Sequence, residues 1–274
     1  MQPRPGGTGL PRRHGIGILD EKPIVMIVFD HAPATYADGW AIIKKILRKW
    51  HHIDVSWREA DHRAAIATLE DAAGTALPPS VKEWVYMIEE MMRTEQWPLR
   101  DSYDISFRTD IQALTLLIQG EGDYYWAVKK ENLVKTDPPV DGYSLESEDE
   151  PDTWTWHRTE HDTLTSFVIQ YLLDYHSMFE GTGGYNAEIP FSETLLQDFS
   201  SAFPAYVELG NYHIFESDDV LAFINPIAGS DKYLLSVHYT GEIEDFPDPV
   251  KQYAEYRGSY YGTDPYENQR ESGV

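Results

Sequence analysis

Apolar side chains recur at three- and four-residue intervals in several stretches of this chain, the spacing that gathers them on one face of an α-helix. Between Tyr36 and Trp50 the stripe is Trp40, Ile43, Leu47 and Trp50, with Lys44, Lys45, Arg48 and Lys49 around it. A second helix is predicted from Trp57 to Ala73, with Gly74 as its stop. A third begins in Leu77-Pro-Pro-Ser-Val-Lys-Glu-Trp84, where Pro79 suits the first helical position because its missing N–H has no partner there anyway. Val81, Trp84, Val85, Ile88 and Met91 form its apolar face, opposite Lys82, Glu83, Glu89 and Glu90. A fourth helix runs from Leu164 through Phe167, Val168, Tyr171, Leu172 and Tyr175, with Asp162 or Thr163 as its N-cap.

Beyond Trp97-Pro98 the period shortens to two, the alternation of a β-strand. Strands are predicted at Tyr103–Arg108, Ala113–Gln119, Tyr124–Lys129 and Thr153–His157, and a short one near the start at Ile24–Phe29. Asp137-Pro138-Pro139 supplies no amides for a ladder and reads as a turn. Further on, a helix over Ser192–Phe203 precedes strands at Tyr206–Leu209, Tyr212–Phe215, Val220–Ile224 and Tyr233–Tyr239, then a last helix over Phe246–Tyr256. Helices first, neighbouring strands next and mixed elements after describe an α+β architecture, with N-terminal helices packed on a mostly antiparallel sheet. The organisation expected is a disordered or misassigned start at 1–15, an α+β core over 16–178, a C-terminal α+β extension over 179–262 on the same body, and a loose tail over 263–274.

Composition narrows the chemistry. The chain of 274 residues has no cysteine, which removes disulfides, thiolate catalysis and cysteine zinc sites together and fits a reducing compartment. No apolar run approaches a membrane span, so a cytoplasmic protein is expected. No glycine pattern of a dinucleotide or phosphate loop follows any strand. The net charge is −24, and it is segregated. Residues 1–100 carry 13 basic and 13 acidic side chains; residues 101–274 carry 9 and 33. Between Asp141 and Asn225 there are 17 acidic residues and a single basic one, Arg158. Such a field disfavours nucleic acid and anionic membranes and attracts basic partners. A solubilising acidic surface is the simpler reading of the same charge.

The succession LPPSVKEW, EGDYYWAV, DPPV and TWTW, followed by the amphipathic TLTSFVIQYLLDY, resembles the SUKH superfamily, which includes bacterial immunity proteins, the bacterial Syd protein and yeast cell-wall regulators. The resemblance covers about residues 60–175. The later YVELGNYHIFESDDVLAFINP and KYLLSVHY are similar to the ending of long members. A glycine-bearing turn common after the first family helix is missing, and RTEQWPLR stands in its place. The resemblance implies a non-catalytic α+β domain, without cofactor, that inhibits a toxin, often a basic nuclease. It carries over no catalytic residue. Its motif positions Leu77, Pro78, Trp84, Tyr124 and Trp126 read equally well as core and turn residues.

One string looks catalytic by itself. His157-Arg-Thr-Glu-His161 satisfies a zinc-hydrolase pattern that works only on a helix, where a four-residue step puts both imidazoles on one face. Its flanks place it across a strand-to-helix junction, so solvated histidines are expected and no metal. His51, His52 and His62 read as surface residues, and the acidic pairs Glu89-Glu90 and Asp218-Asp219 as groups that point apart. The 18 Tyr and 8 Trp could also face a sugar, although most occupy core-periodic positions.

The expectation is therefore a cytoplasmic immunity protein that neutralises a basic, nuclease-type toxin domain. Glu146, Glu148, Asp149, Glu150 and Asp152, with Glu216, Asp218 and Asp219, would pair with the toxin's Lys and Arg. The rival readings are a regulatory scaffold of the same fold and a metal-dependent hydrolase. The sequence leaves the oligomeric state open.

Overall fold

A computed structural model describes residues 27–53, 56–94, 105–118, 124–145, 154–174, 183–190, 192–227, 230–240, 247–254 and 257–261. The predicted strand at Ile24–Phe29 begins outside them, as do the expected start at 1–15 and tail at 263–274. Among these residues the protein is α+β, with helices packed on antiparallel sheets.

The helices start and stop where local chemistry dictates. Helix α1 (Tyr36–Lys49) opens on a reciprocal cap: Asp38 N–H donates to Thr35 Oγ1, and Thr35 N–H donates to the Asp38 carboxylate. Helix α2 (Arg63–Ala73) stops at Gly74, but its predicted first turns are a separate 3₁₀ turn at Glu59–Asp61. Helix α3 (Pro79–Arg93) has Pro79 in its first turn. Trp84, Val85, Ile88 and Met91 are buried on it as expected, yet Glu90 is buried too, against Arg93 and His62. Glu89 stays exposed, so this acidic pair does point apart. His51 and His62 are buried, contrary to expectation.

The first sheet is a meander of β1 (Phe107–Arg108), β2 (Ala113–Ile118), β3 (Tyr124–Lys129), β4 (Val140–Leu145) and β5 (Trp154–His161), paired in that order. Its inner face carries Leu114, Leu117, Val128 and Val140 into the helical core. Helix α4 (Leu164–Asp174) lies there, its first turn closed by Thr163, whose Oγ1 accepts the Ser166 amide at 3.1 Å. Phe167 of α4 is the hub, with ring contacts to Trp84 at 6.3 Å, Trp126 at 6.1 Å and His161 at 5.1 Å. Leu77 and Trp84 of the LPPSVKEW segment are thus core residues.

The second sheet has the order β11-β6-β10-β9-β8-β7, from β6 (Gly183–Pro190), β7 (Ala205–Leu209), β8 (Tyr212–Glu216), β9 (Val220–Pro226), β10 (Lys232–Tyr239) and β11 (Arg257–Tyr261). Strict alternation splits its side chains between two cores. Along β9, Leu221 and Phe223 join the helical core, while Val220, Ala222 and Ile224 face α5 (Glu193–Ala202) and α6 (Asp248–Ala254) through Phe199 and Val250. Val207, Leu209 and Ile214 also enter the first core, so one apolar cluster runs from α1 to the second sheet.

Candidate functional site

Of the eight acidic residues expected to meet a partner, Glu146, Glu148, Asp149, Glu150 and Asp152 lie outside the described residues. The other three are neighbours in sequence and opposites in environment. Asp218 and Asp219 are exposed on the β8–β9 turn, where the Asp219 backbone carbonyl accepts the Thr240 amide at 3.0 Å. Glu216 is 0% exposed. One of its carboxylate oxygens accepts the backbone amides of Val28 at 2.7 Å and Phe29 at 2.8 Å. The other accepts Lys49 Nζ at 2.8 Å and the Trp50 indole N–H at 3.1 Å. Glu216 is therefore withdrawn from the partner-binding set: it shares the inner face of β8 with Ile214 and ties the second sheet to the N-terminal segment and the end of α1. The same contacts correct the predicted N-terminal strand. The Val28 and Phe29 amides are spent on a carboxylate, and residues 27–30 join no ladder.

The string from His157 to His161 is neither helix nor junction but the second half of β5. A four-residue step along a strand separates Cα atoms by about 13 Å, and the two imidazoles cannot close on one ion as they would on a helix. Among the described residues no group of three or more His, Asp or Glu is placed to hold a metal. The zinc-hydrolase reading loses its geometry here.

That strand instead builds a polar cleft. It pairs with β4 through two irregularities, so that Glu160 and His157 have no direct partner across the ladder. Such bulges turn side chains out of simple alternation. Glu160 is turned toward β3, where its two oxygens accept the Tyr124 hydroxyl and the Trp126 indole N–H, each at 2.7 Å. Gly142 permits this: a Cβ there would stand 1.8 Å from the Tyr124 hydroxyl oxygen. Tyr124 and Trp126, both in the family-like EGDYYWAV, are thus half-buried holders of a carboxylate as well as packing residues. Burial and the adjoining Glu160 charge push the Tyr124 hydroxyl well above the usual phenol range.

Glu160 faces two adjoining cavities, of about 280 and 400 Å³, between the first sheet and the end of the second. The smaller is walled by His161, Asp162, Ser166 and Gln170 from the β5–α4 side and by Gly210, Asn211 and Tyr212 from the β7–β8 turn. The larger adds Arg158, Thr159, Asn225 and Pro226. The turn is held tightly because Gly210 takes a φ of 59°, the left-handed conformation that a two-residue hairpin asks of its first central position. Tyr212, which packs on Phe223, donates its hydroxyl to Asp174 at 2.9 Å.

Charge in the cleft is mostly negative. Its one guanidinium, Arg158, lies 3.6 Å from Glu160 with a side chain 70% exposed. Burial lowers the His161 pKa below the ordinary imidazole value, against the opposing pull of Glu160, Asp162 and a hydrogen bond with Gln170. Surrounding protein pushes Asp174 up to about 6 against its hydrogen bond from Tyr212, and the water reaching this exposed residue tempers that rise. Asn225 offers a buried Oδ1 that meets no hydrogen-bond donor. The arrangement presents a fixed carboxylate beside an aromatic wall, while the unpartnered Asn225 Oδ1 is closed off from the cavity.

No protein-family model, curated protein or solved structure matches this chain.

Proposed function

We propose that the protein is a cytoplasmic immunity protein that binds a basic, nuclease-type toxin domain and neutralises it by covering its cationic surface. One observation carries the reading: the entire charge imbalance of the chain falls after residue 100. Among the described residues much of it is surface charge, the buried Asp141 and Glu216 apart. Glu188, Glu193, Asp198, Glu208, Asp218, Asp219, Asp231 and Asp248 are exposed on the second sheet and its helices, against Lys232 and Lys251, and Lys232 is already paired with Glu188 at 2.8 Å. Such a surface complements the Lys and Arg with which a nuclease grips phosphates, and steers the encounter. The SUKH-like order of motifs in residues 60–175 supports the same reading. No helix among the described residues is long and apolar enough to cross a membrane, which is compatible with it.

The immunity reading predicts a toxin-encoding frame beside this one, and the test is co-expression with that toxin domain, scored by survival and co-purification. Survival that depends on this protein, with the two recovered as a complex, is expected. Growth arrest despite abundant folded protein removes the proposal.

A further inference from the structure

We infer that a pocket on the outer face of the first sheet binds an organic monocarboxylate, with the Tyr143 hydroxyl and the Lys129 ammonium as its donors. The inference goes beyond the proposed function and is independent of it.

Alternation along β2 and β3 sends Ala113 and Ala127 to the face opposite Leu114 and Val128, where they form a small apolar cluster with Tyr125 and Tyr143, apart from the helical core. Beside it lies a cavity of about 350 Å³, walled by Ile111, Gln112, Lys129, Lys130, Glu131 and Tyr143. This is a cationic spot in the acidic part of the chain, with two ammonium groups against one carboxylate on its walls.

Tyr143 is the pointer to a ligand. It is 3% exposed. Its hydroxyl makes no hydrogen bond with any described residue, yet it is not sealed in as Asn225 Oδ1 is. A buried hydroxyl without a partner is costly, and a ligand that brings an acceptor relieves it. Burial, with the Asp141 and Glu131 charges, pushes the Tyr143 pKa up to about 12, so the group is a donor at neutral pH. Glu131 stands on the cavity wall, and its influence on the hydroxyl puts that end of the ring on the cavity side. Lys129 is the second donor. Its ammonium lies 4.2 Å from the Trp156 ring centroid and 3.7 Å from the Asp141 carboxylate, beyond hydrogen-bond reach, so its donors are available to a ligand.

Two donors and positive charge call for an anion, and the Ile111 side chain and the Tyr143 ring call for an apolar body attached to it. Glu131 and the buried Asp141 disfavour a dianion such as phosphate. A carboxylate on a small apolar group meets all of these conditions, whether it belongs to a free acid or to the C-terminus of a peptide.

The full-length protein would be titrated at constant ionic strength with benzoate and with N-acetylphenylalanine, and with benzamide and inorganic phosphate as controls, while the Trp156 indole N–H is followed by NMR. Saturable shifts with at least one carboxylate are expected at a dissociation constant on the order of 1 mM. Tighter binding of benzoate assigns the site to free acids, and tighter binding of N-acetylphenylalanine to peptide C-termini. Benzamide and phosphate should bind at least about tenfold more weakly. Tyr143→Phe should weaken carboxylate binding roughly fivefold and leave the urea midpoint unchanged or raised, because the hydroxyl bonds nothing in the free protein. Glu131→Gln, at an exposed position, should strengthen binding roughly twofold by removing a like charge. Shifts absent at tens of millimolar of both carboxylates, equal for benzamide or phosphate, or indifferent to Tyr143→Phe would each overturn the inference. So would a lower urea midpoint in Tyr143→Phe, which would show the hydroxyl already partnered, or weaker binding in Glu131→Gln.

Discussion

Replacing Glu216 by alanine should cost this protein a large part of its stability, and the size of that cost follows from the hydrogen bonds the carboxylate makes. Four donors converge on it: the Val28 and Phe29 amides, the Lys49 ammonium and the Trp50 indole. Lys49 keeps the Ser217 carbonyl at 3.0 Å and has some access to water, so its charge is not wholly abandoned. The two amides are buried and joined to no strand, so alanine leaves them without that acceptor. Removing one partner of a buried, hydrogen-bonded ion pair costs about 3–5 kcal/mol, and a value near 4 kcal/mol is expected here. Glutamine, of the same shape, should cost about half as much, because its carbonyl can still accept both amides while its NH₂ group faces two donors. Urea unfolding monitored by tryptophan fluorescence gives both numbers, and hydrogen exchange at Val28 and Phe29 shows whether the loss is local. The alanine variant should exchange these amides much faster under native conditions. A loss below about 1 kcal/mol with unchanged exchange would refute the view that Glu216 joins the second sheet to the N-terminal segment.

Further outcomes follow from the cleft. His161 has a folded pKa below that of the unfolded chain, so the unfolded state binds its proton first as the pH falls; its contribution is complete above about pH 6.5 and is lost as the pH drops below that value. The urea midpoint of the native protein should therefore fall more between pH 7.5 and 5.5 than that of His161→Gln, and parallel profiles would contradict the assignment. Gly142→Ala should destabilise by about 1–3 kcal/mol, because its methyl group occupies the place of the Tyr124 hydroxyl. The Trp126 indole N–H resonance should move with it, and an unperturbed spectrum would show that the hydroxyl does not lie where Gly142 makes room.

Much of this architecture can be read from residue order, and the parts that cannot have physical reasons. The helices declare themselves because the 3.6-residue stripe and the end signals agree, as at Thr35, Pro79 and Ser192, whose hydroxyl caps α5 through the Leu195 amide. Strands β4, β6 and β11 are missed. In β4, Asp141 and Gly142 resemble a loop; Asp141 is a buried carboxylate whose Oδ1 accepts the Trp156 indole N–H and the Thr159 hydroxyl, and Gly142 is a space kept for Tyr124. In β6, two leading glycines resemble a stop. Strand β5 outlasts its prediction by four residues because alternation is blurred by its irregular pairing.

Glu216 is the instructive site residue. Within Glu-Ser-Asp-Asp it looks like part of an acidic turn, yet alternation from Ile214 through Phe215 already assigns it to the inward face. A carboxylate at an apolar parity is the signal that would have found it. The cleft leaves no linear trace, since its walls come from β5, α4, the β7–β8 turn and the end of β9.

The central claim is that a negative surface captures a positive partner, and its most direct test is the association rate with the basic toxin domain that the proposal expects, measured by stopped flow across a range of salt. Steered encounters reach about 10⁸ M⁻¹s⁻¹ at low ionic strength and fall steeply as the Debye length shrinks from roughly 10 Å at 0.1 M salt to roughly 3 Å at 1 M. The account predicts a drop of more than about tenfold over that range, and a slower low-salt rate when Asp218 and Asp219 are both replaced by asparagine. A rate indifferent to salt and to those substitutions would contradict it.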